Sequence, residues 1–233
     1  AMEDVRVLTG DTDTSAYGGG TWGSRGAGIG GEATPQAGKA LRANILEVAG
    51  AVLQAEPGDL DIAGGRIVDA AGQPRMTLAE LAALVQFRTA ELPDDLQPEL
   101  TVTRHYRVTG YPFVLTNGVQ ASHVEVDPET GFVTLLKHWV VEDCGRVINP
   151  MLVDDQIRGG VVQGIGGALY EHCVYSPEGQ LLNGNMADYL VPMAGEMPDI
   201  VIGHVETPTA TSELGAKGVG EAGTGGGPAA VMN

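Results

Sequence analysis

At 233 residues the chain is long enough to bury a substantial core in one or two domains. Thirty acidic against thirteen basic residues leave a formal net charge of −17, which argues against nucleic acid or an anionic membrane surface as a partner. There is no apolar run of about 18 residues and no signal-peptide pattern. Aromatic residues make up only 5%, so packing must rest on Val, Ile, Leu and Ala. Cys144 and Cys173 lack metal-ligand spacing and are expected to be reduced, buried and structural, in a cytoplasmic protein.

Residues 5–8 alternate as a strand would, and the glycine-dense stretch that follows, 9 to 31, cannot be regular structure. Thr34 and Pro35 read as a helix start, a hydroxyl cap followed by proline. Leu41, Ile45, Val48 and Val52 give that helix one apolar face, and Glu56-Pro57-Gly58 ends it. A glycine-rich loop feeding a helix N-terminus offers free N–H groups to a phosphate, and Arg25 could pair with one bidentately. The alternative is a mobile surface loop. Its spacing is not the dinucleotide fingerprint, because no GxGxxG opens the helix directly after the strand. Residues 59–68 read as a hairpin closed by Gly64-Gly65, and Thr77 to Glu80 as a capping box opening a helix that carries Leu78, Leu81, Ala82 and Val85. The acidic, proline-containing run 91–98 is a solvated linker.

Residues 101–108 alternate as a strand, with His105 inside it. Residues 119–126 and 131–141 frame a turn, Asp127 to Gly131, and form a long hairpin. His123 and His138 have no carboxylate or cysteine at metal spacing. Asn149-Pro150 opens a helix expected to run to about Glu171. Gln156, Gly160, Gln163, Gly164 and Gly167 share one side of it, beside an apolar stripe of Ile157, Val161, Ile165 and Leu169. Five glycines there cost roughly 0.8–1 kcal/mol each against alanine. Either close packing on another backbone or a flat ligand must compensate. Residues 201–205 read as a strand, and Gly227-Pro228 as the start of a last helix. Glu206 and Glu213 read as exposed loop carboxylates. Glu221 sits among Gly218, Gly220, Ala222 and Gly223, where a carboxylate can be aimed at a bound group as a general base. The alternative is a surface loop whose glutamate faces water.

Three stretches together resemble one family. They are residues 217–224, KGVGEAGT, followed by a Gly/Pro/Ala helix start; residues 143–150, DCGRVINP, with Gln156 and VVQGIGGALYE; and residues 10–25, GDTDTSAYGGGTWGSR. In order and spacing they resemble the molybdenum hydroxylases of the xanthine dehydrogenase and aldehyde oxidase type. The resemblance implies an oxidoreductase that hydroxylates an aldehyde or N-heterocycle with water as oxygen source. Glu221 would be the catalytic base and Gln156 would contact the pyranopterin, against which the helix glycines would let the cofactor pack close. Gly23, Ser24 and Arg25 would meet the pterin and the phosphates of molybdopterin, here expected as the cytosine dinucleotide carrying Mo. No residue of the chain itself is implied as a metal ligand. Electrons would leave through [2Fe-2S] clusters and FAD on partner subunits. The implied fold is α/β (α+β), with mixed β-sheets and packed helices in two lobes. The first, 1–95, would hold the glycine-rich cofactor loop, and the second, 96–233, the glycine-rich helix and the Glu221 loop. The chain is expected to be a fragment of a longer molybdenum subunit whose remainder completes the site, and to be inactive alone. Two other readings stand beside this one: a folded non-catalytic module that binds partner subunits, and a phosphate-ligand binder using the loop of residues 10–31.

Overall fold

A computed structural model describes residues 2–15, 17–109 and 114–232. It is a mixed α/β structure with two three-stranded sheets and four α-helices among the described residues. The chain divides into two compact units. One comprises residues 1–20 and 33–106, the other residues 21–32 and 107–233. The boundary differs from the expected division at 95/96. It also places residues 21–32 with the second unit, because Ser24 bonds Glu221 and Glu32 bonds the backbone of residues 213 and 214.

The first unit holds helix α1, Glu32–Leu53, from its second residue onward, an antiparallel meander and helix α2. Strands β1, Leu60–Ala63, and β2, Arg66–Asp69, pair through Ala63 and Arg66 across the Gly64-Gly65 turn. Both turn glycines have positive φ, 54° and 73°, as a tight two-residue hairpin requires. Strand β3, Pro74–Thr77, adds to β2. Helix α2, Leu78–Phe87, carries the expected capping box, with Glu80 N–H donating to Thr77 Oγ1 and Thr77 N–H donating to Glu80. The core gathers Leu46, Val48 and Ala49 of α1, Leu60, Ile67, and Leu81, Leu84 and Val85 of α2. Helix α1 begins earlier than Thr34. A short π-helical turn, Gly26–Gly31, runs straight into it, so Arg25 stands at the head of the helical run rather than several residues before it. Residues 5–8 are not a strand: Val5, Val7 and Leu8 are exposed, with no ladder to complete.

The second unit is built on strands β4, Asn117–Val126, β5, Val133–Asp143, and β6, Ile200–His204. The pair β4–β5 is the expected antiparallel hairpin, and β6 runs parallel to β5. Helix α3, Pro150–Leu169, makes the crossover between the parallel strands, capped by Asn149 Oδ1, which accepts from Leu152 N–H at 3.3 Å. Its stripe of Ile157, Val161 and Ile165 is fully buried with Val140, Ile200 and Val231. Helix α4, Ala222–Met232, starts five residues before the expected Gly227. Residues 101–108 are not a strand, since no described segment pairs with them.

The α3 glycines pack on backbone. A Cβ on Gly160 would stand 3.2 Å from Gly223 Cα, and one on Gly164 2.9 Å from the Thr224 carbonyl oxygen. In return, a Cβ on Gly223 would lie 2.5 Å from the Ile157 oxygen and 2.6 Å from the Val161 nitrogen. The two helices touch main chain to main chain, and that dense contact offsets the poor helix propensity. Of the two compensations open for the glycines, helix packing accounts for Gly160 and Gly164; Gly167 faces open space.

Candidate functional site

Residues 215–221 are held on three sides by the other two stretches singled out in the sequence. Along residues 144–146 the backbone zips to 215–217. Arg146 N–H donates to the Gly215 oxygen at 3.0 Å, and Lys217 N–H donates to the Cys144 oxygen at 2.7 Å. Asp143 anchors this zipper. It accepts from the N–H groups of Gly145 and Thr207, from the Thr207 hydroxyl, and from Lys217 Nζ at 3.1 Å. Burial pushes the Asp143 carboxyl up, but the Thr207, Gly145 and Lys217 donors outweigh it and hold the carboxyl far below the usual carboxylate range. Glu32, almost fully buried, accepts from Glu213 N–H and Leu214 N–H and fixes the approach to the loop.

Glu221 directly precedes α4, and its carbonyl accepts from Gly225 N–H at 3.1 Å. The start of α4 five residues upstream of expectation thus brings the glutamate to the helix cap. Ser24 binds it twice. The Ser24 hydroxyl accepts from Glu221 N–H at 2.8 Å and donates to Glu221 Oε2 at 2.8 Å. Ser24 has a φ of 53°, a left-handed conformation that non-glycine residues adopt at a cost. Gly218 presses on it: a Cβ there would lie 2.6 Å from Ser24 Cβ and from its carbonyl oxygen. From α3, Gln156 Nε2 donates to the Gly220 oxygen at 3.1 Å. Ser24, Gln156 and Glu221 therefore meet around residues 220–221. Arg25 lies differently, with its guanidinium 4.4 Å over the Trp22 ring.

Beside this junction opens a cleft of about 570 Å³ lined by Gly23, Ser24, Gly218 and Glu221, by the start of β4, and by the bare face of α4 at Ala222, Gly225 and Gly226. Its back wall is polar. Gly118, Gln120 and Ser122 of β4 lie opposite Glu142, Val140 and His138 of β5, all on the sheet face that α3 and α4 cover. Glu142 is 2% exposed, and its carboxyl rests against Gly118 where a side chain would otherwise be. Burial raises its pKa, with a hydrogen bond from Gln120 opposing. His138 is fully buried, and burial lowers its pKa.

Gln120 and Glu142 carry no motif, and two-residue periodicity was their available signal: once His138 is inward, Glu142 and, across the ladder, Ser122 and Gln120 share its face. Asp143 and Lys217 lie within the quoted stretches, where no role was assigned to them. The sequence reading also expected both cysteines to be buried. Cys144 is, whereas Cys173 lies exposed in the irregular segment after α3. Among the described residues, no group of three His, Cys, Asp or Glu side chains is placed to hold a metal ion. No helix among them is long and apolar enough to cross a membrane.

The chain belongs to the molybdopterin cofactor-binding domain family, whose model it matches over residues 1–198. The chain is 39% identical over 233 residues to the nicotine 6-hydroxylase large subunit of Paenarthrobacter nicotinovorans, covering 100% of this chain and 28% of that subunit. It is 32% identical to the carbon monoxide dehydrogenase large chain of Hydrogenophaga pseudoflava, over 94% of this chain and 27% of that one. Among solved structures, quinoline 2-oxidoreductase from Pseudomonas putida 86 superposes with a TM-score of 0.78 at 36% identity, covering 94% of this chain and 28% of that chain. The chain thus spans little more than a quarter of the length of these relatives. They are oxidoreductase subunits, as the sequence resemblance led one to expect.

Proposed function

We propose that this chain forms the base-bearing part of a molybdenum hydroxylase large subunit, acting on an aldehyde or N-heterocycle with water as the oxygen source. The observation that carries this reading is the meeting of Ser24, Gln156 and Glu221 around residues 220–221, with Ser24 and Glu221 lining the adjoining cleft. The cleft suits a flat ring system. Its volume falls in the roughly 300–1,000 Å³ range of small-molecule sites. Its α4 wall carries nothing larger than the Ala222 methyl, and a Cβ added at Gly225 would meet nothing within 4 Å. With no protein cage for a metal among the described residues, molybdenum would be carried by the pterin.

In this reading the Gln156 amide and residues Gly23, Ser24 and Arg25 hold molybdopterin in its cytosine dinucleotide form. When bound, that group would supply a metal centre able to accept two electrons. Glu221 would take the proton released by the water-derived oxygen. The Ser24 hydroxyl engages Oε2, so the second carboxylate oxygen, Oε1, is left to face the reacting group. The Ser24 bond to Glu221 N–H fixes the backbone from which the carboxylate hangs. Positioning of this kind lets a carboxylate act without reorganisation in the transition state.

We further propose, as partners, the remainder of the large subunit together with [2Fe-2S] and FAD subunits, assembled in the cytoplasm. The sheet face away from α3 and α4 exposes Val119, Trp139, Val141 and Val201, an apolar surface suited to another chain segment. The test is Glu221→Gln in the complete enzyme, read by turnover and by metal analysis. Turnover should fall by a factor on the order of 10²–10⁴, the usual contribution of a positioned base, with molybdenum content unchanged. Normal turnover would remove Glu221 from the mechanism.

A further inference from the structure

The sheet face under the first turn of α4 carries a directed hydrogen-bond chain. Ser122 Oγ lies 2.8 Å from His138 Nδ1, and His138 Nε2 lies 3.1 Å from Gln120 Oε1. Gln120 Nε2 then reaches the Gly223 oxygen at 2.9 Å and the Ala222 oxygen at 3.3 Å. Two carbonyl oxygens can only accept, so the Gln120 nitrogen must face them and its oxygen must face His138. His138 Nε2 therefore carries the hydrogen, and Nδ1 accepts from the Ser122 hydroxyl. Burial favours this neutral ring. Each member has a partner, so the chain is rigid at both ends.

The chain terminates on Ala222 and Gly223, the two residues that directly follow Glu221. On its α3 side the first turn of α4 is held by the close backbone contact at Gly223 and by Thr224, which donates to the Gly160 oxygen; on the sheet side its sequence, AGTGGG, offers no polar side chain, and Gln120 supplies the bond. Space for the amide exists because residue 226 is glycine. A Cβ there would stand 2.9 Å from Gln120 Nε2 and 3.0 Å from its Cδ.

We propose that Gln120, oriented by His138 and Ser122, is a positioning residue that sets the direction of the first turn of α4 and thereby the aim of Glu221. The anchoring stands on the geometry alone. Its effect on turnover rests on the reading of Glu221 as the base. Two measurements keep these apart. Hydrogen exchange on the chain itself reads the anchor. Gln120→Leu, of similar volume but without the amide, should speed exchange in peptides covering residues 221–226 about tenfold, the factor for losing one net hydrogen bond of ordinary strength. Peptides of β4 and β5 should keep their protection. His138→Leu should do the same. His138→Gln, which retains a donor for the Gln120 oxygen, should restore near-normal exchange. In the complete, molybdenum-loaded enzyme, Gln120→Leu should lower kcat about 10- to 100-fold with KM and molybdenum content unchanged. Unchanged exchange at 221–226, or exchange raised equally across the whole second unit, would overturn the positioning role. Faster exchange at 221–226 with unaltered kcat would keep the anchor and overturn its catalytic consequence, while Glu221 as base is decided separately by Glu221→Gln.

Discussion

Ser24 stands in a conformation that suits glycine better, at a φ of 53°, yet it is a serine. Two substitutions separate what its hydroxyl contributes from what its backbone costs. Ser24→Ala removes the bond to Glu221 N–H and the bond to Glu221 Oε2 and keeps the left-handed strain. At about 1 kcal/mol net per hydrogen bond, with part of the second retained by water at this half-open site, the loss should be about 1–2 kcal/mol. Ser24→Gly removes the same two bonds and relieves strain of about 1 kcal/mol. The glycine variant should therefore be more stable than the alanine variant by about 1 kcal/mol and lie within about 1 kcal/mol of the unsubstituted chain. Urea unfolding at neutral pH, followed by the fluorescence of Trp139 on β5 of the second unit, measures both. Equal stabilities for the two variants would show that the left-handed conformation is not imposed at residue 24. A glycine variant less stable than alanine would refute the reasoning entirely.

Gly223→Ala would drive a methyl group into the α3 backbone at Ile157 and Val161 and should cost about 3 kcal/mol or more, read by the same unfolding assay. Gly225→Ala, facing open space, should leave stability unchanged or raise it slightly. Asp143→Asn leaves the half-buried Lys217 ammonium without its counter-charge and should cost about 3 kcal/mol at neutral pH. Because the Asp143 carboxyl is held below its ordinary value, its contribution is present above about pH 4 and is lost as pH falls, so the cost of this substitution should shrink progressively in acid. Glu142 runs the other way. Its folded-state pKa is raised, so it stabilises below about pH 4.5 and loses that contribution as pH rises through the raised value. Glu142→Gln should then stabilise at pH 8 relative to pH 4, and a pH-independent difference would show that burial does not govern this carboxyl.

What could be read from sequence was what local chemistry decides. The Thr77–Glu80 capping box, the Asn149 cap and the Gly64-Gly65 hairpin each depend on a few neighbouring residues, and each formed as expected. The strands expected at 5–8 and 101–108 failed because alternation supplies a face but not a partner. Helix α4 was missed at its start because glycines 223, 225, 226 and 227 carry no helical preference; the helix exists through α3. At the candidate site, Glu221, Ser24 and Gln156, which the fold brings together, were singled out through their surrounding motifs. Gln120 and His138 were passed over because polar residues on a hairpin read as solvent-facing. The sheet in fact turns Val119 outward, 74% exposed, and Gln120 inward, because the amide satisfies α4 carbonyls that an apolar residue could not.

The side-chain-poor helix α4 also orders the assembly of the molecule in time. Eleven residues with four glycines fall short of the roughly 12–15 residues at which even alanine-rich helices become marginal on their own, so α4 has no means of nucleating by itself. It must condense onto an α3 that is already formed, and the crossover from β5 to β6 must precede it. Stabilising or loosening the Glu221 turn should consequently alter how fast the chain unfolds and leave its folding rate nearly untouched. That outcome would place the residue proposed to do the chemistry on a segment that joins the structure late, where its geometry can be tuned without slowing the search for the fold.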